Sequence, residues 1–162
     1  IYSRSKYAAD LVLSTLPQVG IARIRMPIDW VPSPNNMIDK LTSFSKVIDV
    51  ENSVTVVEDM LAVFYELLEK KATGVFHVTN PGLLKHRDII QLYQKFVNPD
   101  HTNEWITDED LVKKGLSLKG RSNNVLSSKN LEAYGIEMRD VHIAMEDTMK
   151  KYSAALTSGR IS

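Results

Sequence analysis

From Tyr2 to Val97, short β-prone runs alternate with helical-period segments, and proline or glycine marks several of the changeovers. That alternation limits the fold more than any other feature, because strands separated by helices pack as α/β layers with partly parallel pairing. Tyr2 to Leu16 carries Ala9, Leu11, Val12, Leu13 and Leu16 at helical spacing until Pro17 and Gly20 stop it. Ile21 to Met26 alternates apolar and basic residues and reads as a strand that Pro27 ends. Asp29 to Asn36, with Pro32, Pro34, Asn35 and Asn36, is loop, and Met37 to Phe44 resumes a helical period. Lys46 to Val50 is a second strand. Val54 opens a β-branched run that continues as the strongest helix, through Lys70, with Met60, Leu61, Phe64, Leu67 and Leu68 as its apolar stripe. Glu58 and Asp59 at its start and Lys70 and Lys71 at its end suit the helix dipole, and Gly74 is expected to terminate it.

Val75 to Val78 follows as a third strand, Asn80-Pro81-Gly82 as a turn, and His86 to Val97 as a helix facing inward through Ile89, Ile90, Tyr93 and Phe96. Asn98 to Lys119 is polar; Thr107 reads as the cap of a short helix with Asp110 at its third position. Trp30 and Trp105 read as loop or pocket-wall residues. Asp140 to Ala155 forms the last helix, with Val141, Ala144, Met145, Met149 and Tyr152 inward, before a polar tail.

The 162 residues balance 20 basic against 20 acidic side chains, so nothing global favours nucleic acid or an anionic membrane as partner. The absence of cysteine excludes disulfides, thiolate zinc sites and cysteine nucleophiles within the chain. His77 and His86 have no second ligand at metal spacing, so no metal site is expected. No apolar run is long enough to span a bilayer and no leader opens the chain, which makes a cytoplasmic protein the default expectation. No G-x-G-x-x-G or G-x-x-x-x-G-K-[ST] phosphate cradle occurs, and the chain opens on Ile1 inside a helical pattern, as a piece of something longer would.

Tyr2 and Lys6, four residues apart, fall one above the other on a helix face. An ammonium near a phenol favours the phenolate, lowering its pKa from about 10 towards a value suited to proton transfer. Two common residues at one spacing also arise on any solvated helix. Lys40 reads equally as a solvated lysine, Asn36 as the N-cap of the helix that follows it, and Arg121 as a loop tether.

Tyr2-Ser3-Arg4-Ser5-Lys6 with its small and acidic followers, the strand ending in Arg25-Met26-Pro27-Ile28, Asn36-Met37-Ile38-Asp39-Lys40, Asn52 to Val56, Val78 to Gly82, His86, Arg121 to Asn124 and Ser128-Lys129 stand in order. Together they resemble the extended short-chain dehydrogenase/reductases, most closely the nucleotide-rhamnose 3,5-epimerase/4-reductases. The resemblance runs to about Tyr152. It implies the C-terminal part of a Rossmann-type α/β fold: residues 1–30 end the core with the tyrosine helix, and 31–162 form mainly the substrate-binding region with returning core elements. The cofactor half would be absent and the fragment alone inactive.

The resemblance further implies that Tyr2 protonates the sugar's C4 oxygen and that Lys6 lowers its pKa while bonding the nicotinamide ribose of NADPH, with NADH as the alternative. The backbone of Pro27 and Ile28 would border the nicotinamide. Lys40 would share 3,5-epimerisation with a cysteine outside this chain, and Asn36 and Arg121 would meet the nucleotide-diphosphate sugar. Such proteins dimerise through the tyrosine helix, here Tyr2 to Leu16. A plain 4-reductase, another NAD-dependent epimerase or dehydratase, and a non-catalytic regulatory subunit remain alternatives.

Overall fold

The computed structural model describes residues 2–107, 110 and 125–159, with Tyr2 and Ser3 described by their backbone alone. Helix α1 (Tyr2–Leu13) leads into strand β1 (Gly20–Arg23) and strand β2 (Pro27–Ile28). Helix α2 (Met37–Ser43) follows, then β3 (Lys46–Ile48), β4 (Glu51–Asn52) and β5 (Thr55–Val56), which runs straight into α3 (Val57–Glu69). After β6 (Gly74–His77) and β7 (Leu84–Lys85) come α4 (His86–Phe96), β8 (Glu104–Ile106), the short α5 (Lys129–Glu132) and α6 (Val141–Thr157).

The strands pair two by two. β1 lies parallel to β6, with Gly20 opposite Gly74 and Arg23 opposite His77. β2 lies parallel to β5 and β3 to β8, whereas β4 and β7 are antiparallel. The mixed α/β class and its parallel pairing agree with the sequence reading. Three details differ. The run Ile21–Met26 is not one strand ended by Pro27: Met26 adopts φ +44°, which breaks the extended chain, and pairing resumes at Pro27 itself. Helix α3 ends before Gly74, because Lys71 takes φ +49° while Ala72 N–H reaches back to the Leu67 carbonyl at 2.9 Å. Gly74, at φ +110°, instead opens β6. Finally, β7, β8 and α5 are too short to show a period in sequence; Trp105 lies within β8 and, as the pocket-wall residue expected, lines a small cleft with Arg87, whose guanidinium is 4.2 Å above its ring.

Two apolar clusters form the interior. The larger gathers Ile28, Ile38, Leu41, Val54, Leu84, Ile89, Ile90, Met145, Met149 and their neighbours from α2, α4 and α6. The smaller, Val63, Phe76, Val78, Leu131 and Ile136, lies between α3, β6 and α5. Burying each large side chain in them contributes roughly 1.5–3 kcal/mol.

The clusters meet at Asn80, which is 1% exposed. Its Oδ1 accepts the Val56 N–H at 2.8 Å, and its Nδ2 donates to Asp59 at 2.6 Å and to the Arg139 carbonyl at 3.1 Å. One residue on, the Pro81 carbonyl accepts the Val141 N–H, and a Cβ on Gly82 would come within 3.0 Å of the Val141 side chain. The turn therefore needs its glycine, at φ +98°, for both its backbone angle and its close approach to α6. No helix among the described residues is long and apolar enough to cross a membrane.

Asn80→Ala should lower unfolding stability by about 1–3 kcal/mol, because it strands the buried Val56 N–H and unties Asp59. Urea unfolding followed by circular dichroism measures it, and a loss comparable to that of a surface substitution would contradict the assignment.

Candidate functional site

The site begins where β1 gives way to β2. The backbone at Met26 is strained, and a lattice of hydrogen bonds holds it. Arg25 N–H donates to Thr55 Oγ1 at 3.1 Å, Thr55 N–H donates to the Arg25 carbonyl at 2.8 Å, and Arg25 Nη2 donates to Asn52 Oδ1 at 2.8 Å. Thr55 Oγ1 in turn donates to the Val78 carbonyl at 2.6 Å. The kink turns Pro27 outward and sends Ile28, fully buried, into the core. Pro27 is therefore the part of this step that faces the solvent, and Ile28 as a whole is covered.

Beyond the kink, Pro27, Asp29, Val31, Ser33, Asn35 and Asn36 line an open cleft of about 380 Å³. Asn36 binds the loop to itself. Its Nδ2 donates to the carbonyls of Asp29 at 2.7 Å and Val31 at 3.0 Å, while Oδ1 receives the N–H groups of Asp29 and of Ile38 in α2. Asn36 is thus the N-cap expected from the sequence, and both its amide donors are committed to its own loop. It shapes the cleft wall; a ligand would have to displace one of these bonds to take its amide.

Lys40 follows one turn later on α2. It is exposed, stands outside the cleft lining, and makes no ion pair among the described residues. Beside it, Asp39 accepts the Tyr152 hydroxyl at 2.9 Å through Oδ1 and the Ser33 N–H at 3.1 Å through Oδ2. Burial, and then this hydrogen bond to Asp39, push the Tyr152 phenol well above the ordinary tyrosine value, and burial raises Tyr93 as well. Asp39 and Tyr152 were not singled out from sequence, although Tyr152 offered a signal. A tyrosine on an inward helix face needs a partner for its hydroxyl.

Lys6 lies on α1, and Asp10, one turn further along, pairs with Arg23 of β1. That pair ties α1 to β1 just ahead of the Met26-Pro27 step. The backbone of Tyr2 opens α1, one turn before Lys6; the Tyr2 side chain and all of Arg121 lie outside what is described. Tyr7, Leu11, Val12 and Leu16 are exposed. No cluster of potential metal ligands occurs among the described residues. His86 points inward to the Ile48 carbonyl at 2.9 Å.

Similarity to known proteins gives this arrangement its context. The bifunctional dTDP-4-dehydrorhamnose 3,5-epimerase/dTDP-4-dehydrorhamnose reductase of Arabidopsis thaliana is 30% identical over 86% of this chain and 46% of that protein. The crystal structure of the L780 UDP-rhamnose synthase of Acanthamoeba polyphaga mimivirus superposes with a TM-score of 0.82, at 29% identity over 93% of this chain and 52% of that one. The chain is a homologue of the nucleotide-rhamnose epimerase/reductases and has the short-chain dehydrogenase/reductase fold. A dTDP-4-dehydrorhamnose reductase of Bacillus anthracis, solved in complex with NADP, shares that fold at a TM-score of 0.75 and 18% identity, over 91% of this chain and 54% of that one. No family model matches. This rhamnose-synthase homologue spans about half or less of the length of the curated relatives it matches.

Tyr152 yields a pH prediction. Its folded value is raised, so the unfolded chain ionises first, and the stabilisation is complete below about pH 10 and lost as pH rises towards the raised value. Tyr152→Phe should therefore flatten the alkaline loss of stability, measured as urea midpoints between about pH 9 and pH 11. An unchanged slope would show that other groups set it.

Proposed function

We propose that this chain is the C-terminal half of an NADPH-dependent 3,5-epimerase/4-reductase that converts UDP- or dTDP-4-keto-6-deoxyglucose to the rhamnose donor. The observation that carries the reading is a coincidence of place and kinship. In a homologue of rhamnose synthases, the Met26-Pro27 kink opens on a cleft whose loop leads into the helix that bears Lys40, and Asp10 ties the Tyr2–Lys6 helix to β1 just ahead of that kink. The division at about residue 30, between the end of a Rossmann core and a mainly substrate-binding region, belongs to the same proposal.

The residues present fit one end of the cofactor. On this reading Lys6 would bond the nicotinamide ribose and the Pro27-Ile28 step would border the nicotinamide, whereas no glycine-rich turn for the pyrophosphate exists in this sequence. NADPH, or NADH in its place, supplies the hydride that reaches C4. Tyr2 gives its phenolic proton to the C4 oxygen, and the Lys6 ammonium stabilises the phenolate left behind. Inversion beside a ketone needs a proton removed from one face of the ring and another returned on the opposite face. Lys40 handles one face, and the partner cysteine that the family's scheme calls for would belong to the other half of the protein, with which the absence of cysteine here agrees. Arg121 would pair with the diphosphate through charge-assisted hydrogen bonds. Homodimerisation through α1 is part of the same reading, supported by its exposed Tyr7, Leu11 and Val12.

The full-length protein, assayed with NADPH and either 4-keto-6-deoxy sugar, should form the rhamnose nucleotide, and the isolated 162 residues should form none. Tyr2→Phe should lower kcat by about 10²–10⁴. Lys40→Met should abolish solvent deuterium exchange at C3 or C5 while reduction of a pre-epimerised keto sugar persists. Unchanged exchange in Lys40→Met would remove Lys40 from the scheme, no exchange in the parent protein would reduce the reading to a plain 4-reductase, and a full-length protein that turns over neither sugar would end it.

A further inference from the structure

The last helix is hydrogen-bonded to the cleft loop by way of the Asp39 carboxylate. Tyr152, 2% exposed, presents its ring edge to Tyr93 at a centroid distance of 6.4 Å, and its hydroxyl donates to Asp39. The other oxygen of Asp39 accepts the Ser33 N–H, so α6, α2 and the cleft loop are joined at one group. Ser33 sits between Pro32 and Pro34, neither of which has an N–H. Its amide is therefore the one backbone donor between Val31 and Asn35, and Asp39 has taken it. Asn36 secures the earlier part of the loop at Asp29 and Val31. Ser33 is also held locally, its carbonyl accepting the Asn36 N–H at 2.8 Å, and Asp39 adds the side-chain tie from this middle part of the wall to α2 and α6.

We propose that Asp39 and Tyr152 are positioning residues for the keto-sugar: through Ser33 they set the wall of the cleft, so their loss weakens substrate binding more than the chemical step. Neither touches the reacting atoms. The inference rests on reading that cleft as the sugar site, and it adds a role for two residues that the catalytic scheme does not use. Holding a reactant's surroundings to a fraction of an ångström is where remote contacts act on turnover.

Tyr152→Phe in the full-length protein tests it, since the ring and its packing on Tyr93 are kept. Thr148→Val is the control: its buried hydroxyl bonds the Ala144 carbonyl within the same helix and reaches no loop. Tyr152→Phe should raise KM for the 4-keto-6-deoxy sugar about tenfold, equivalent to roughly 1.4 kcal/mol, with kcat within about twofold of the parent. It should also speed deuterium uptake across residues 29–36 by at least about fivefold, by opening the loop locally. Thr148→Val should lower Tm and move neither readout. Equal effects of the two variants on KM and uptake, or unchanged uptake over 29–36 in Tyr152→Phe, would overturn the clamp. Faster uptake with an unchanged KM would overturn its role in substrate positioning. Where the parent protein turns over neither sugar, the functional reading fails, and uptake in the two variants still decides whether the clamp exists.

Discussion

Asn80 is the point on which the rest of the arrangement depends. A side chain so buried must satisfy its donors and acceptor within the protein, and here it does so with three different elements. Its oxygen ties the junction of β5 and α3, and its nitrogen ties Asp59 in the first turn of α3 and the segment that launches α6. The backbone N–H of the same residue bonds the Val54 carbonyl at 2.9 Å. Asp59 passes the restraint on, since Arg139 reaches it at 2.6 Å and Asp147 at 3.0 Å, and these carboxylates hold the guanidinium pKa above even its usual high value. Exposed ion pairs alone contribute little. Anchored on a buried amide, they fix where α6 leaves the turn, and so where Tyr152 arrives three turns later.

That placement matters because α2 is weak by itself. It has seven residues, well below the roughly 12–15 at which an isolated helix becomes even marginal in water. What holds it is tertiary: Ile38 and Leu41 in the core, Asn36 at the cap, and Asp39 between Tyr152 and Ser33. The position of Lys40 is thus inherited from packing rather than from helix propensity. On the proposed reading, a base that must address one face of a sugar ring gains its direction from a helix that could not form alone. The two prolines of the loop act in the same sense, lowering the entropy lost when the wall is ordered.

The parts legible in sequence were those long enough to show a period or a cap. Helices α4 and α6 follow their apolar spacing closely, and Thr107 and Asp110 exchange the reciprocal hydrogen bonds that a capped helix start requires; on α3 the inward face centres instead on Val63, with Met60, Phe64 and Leu67 beside it, while Leu61 and Leu68 of the expected stripe face solvent. Strands of two or three residues such as β4 and β7 carry no period, and their partners lie tens of residues away, so only the folded chain reveals them. The break at Met26 was illegible for a different reason. Methionine has no preference for a positive φ, and the angle is imposed by the bonds from Arg25 to Thr55 and Asn52. The stripe from Tyr2 to Leu16 was legible only as a recurrence, because helical spacing shows that Leu11, Val12 and Leu16 recur but not what covers them, and here they face solvent.

The exposure of α1 bears on how the chemistry is distributed. Among the described residues β1 pairs with β6 alone, and the helix beside it turns Tyr7, Leu11 and Val12 to solvent. The proposed acid Tyr2 therefore belongs to a helix whose described side chains are mostly exposed, whereas α2, which bears Lys40, is packed into the larger core through Ile38 and Leu41. Proton transfer to a developing alkoxide is effective when water is excluded and neighbouring charges act at low dielectric. An open helix meets neither condition. On the proposed reading, reduction depends on surfaces that the rest of the protein brings to α1, while the geometry on which epimerisation draws at α2 is already set by contacts within these residues. The two activities should then respond differently to changes at that seam, since only the first relies on it for its electrostatics.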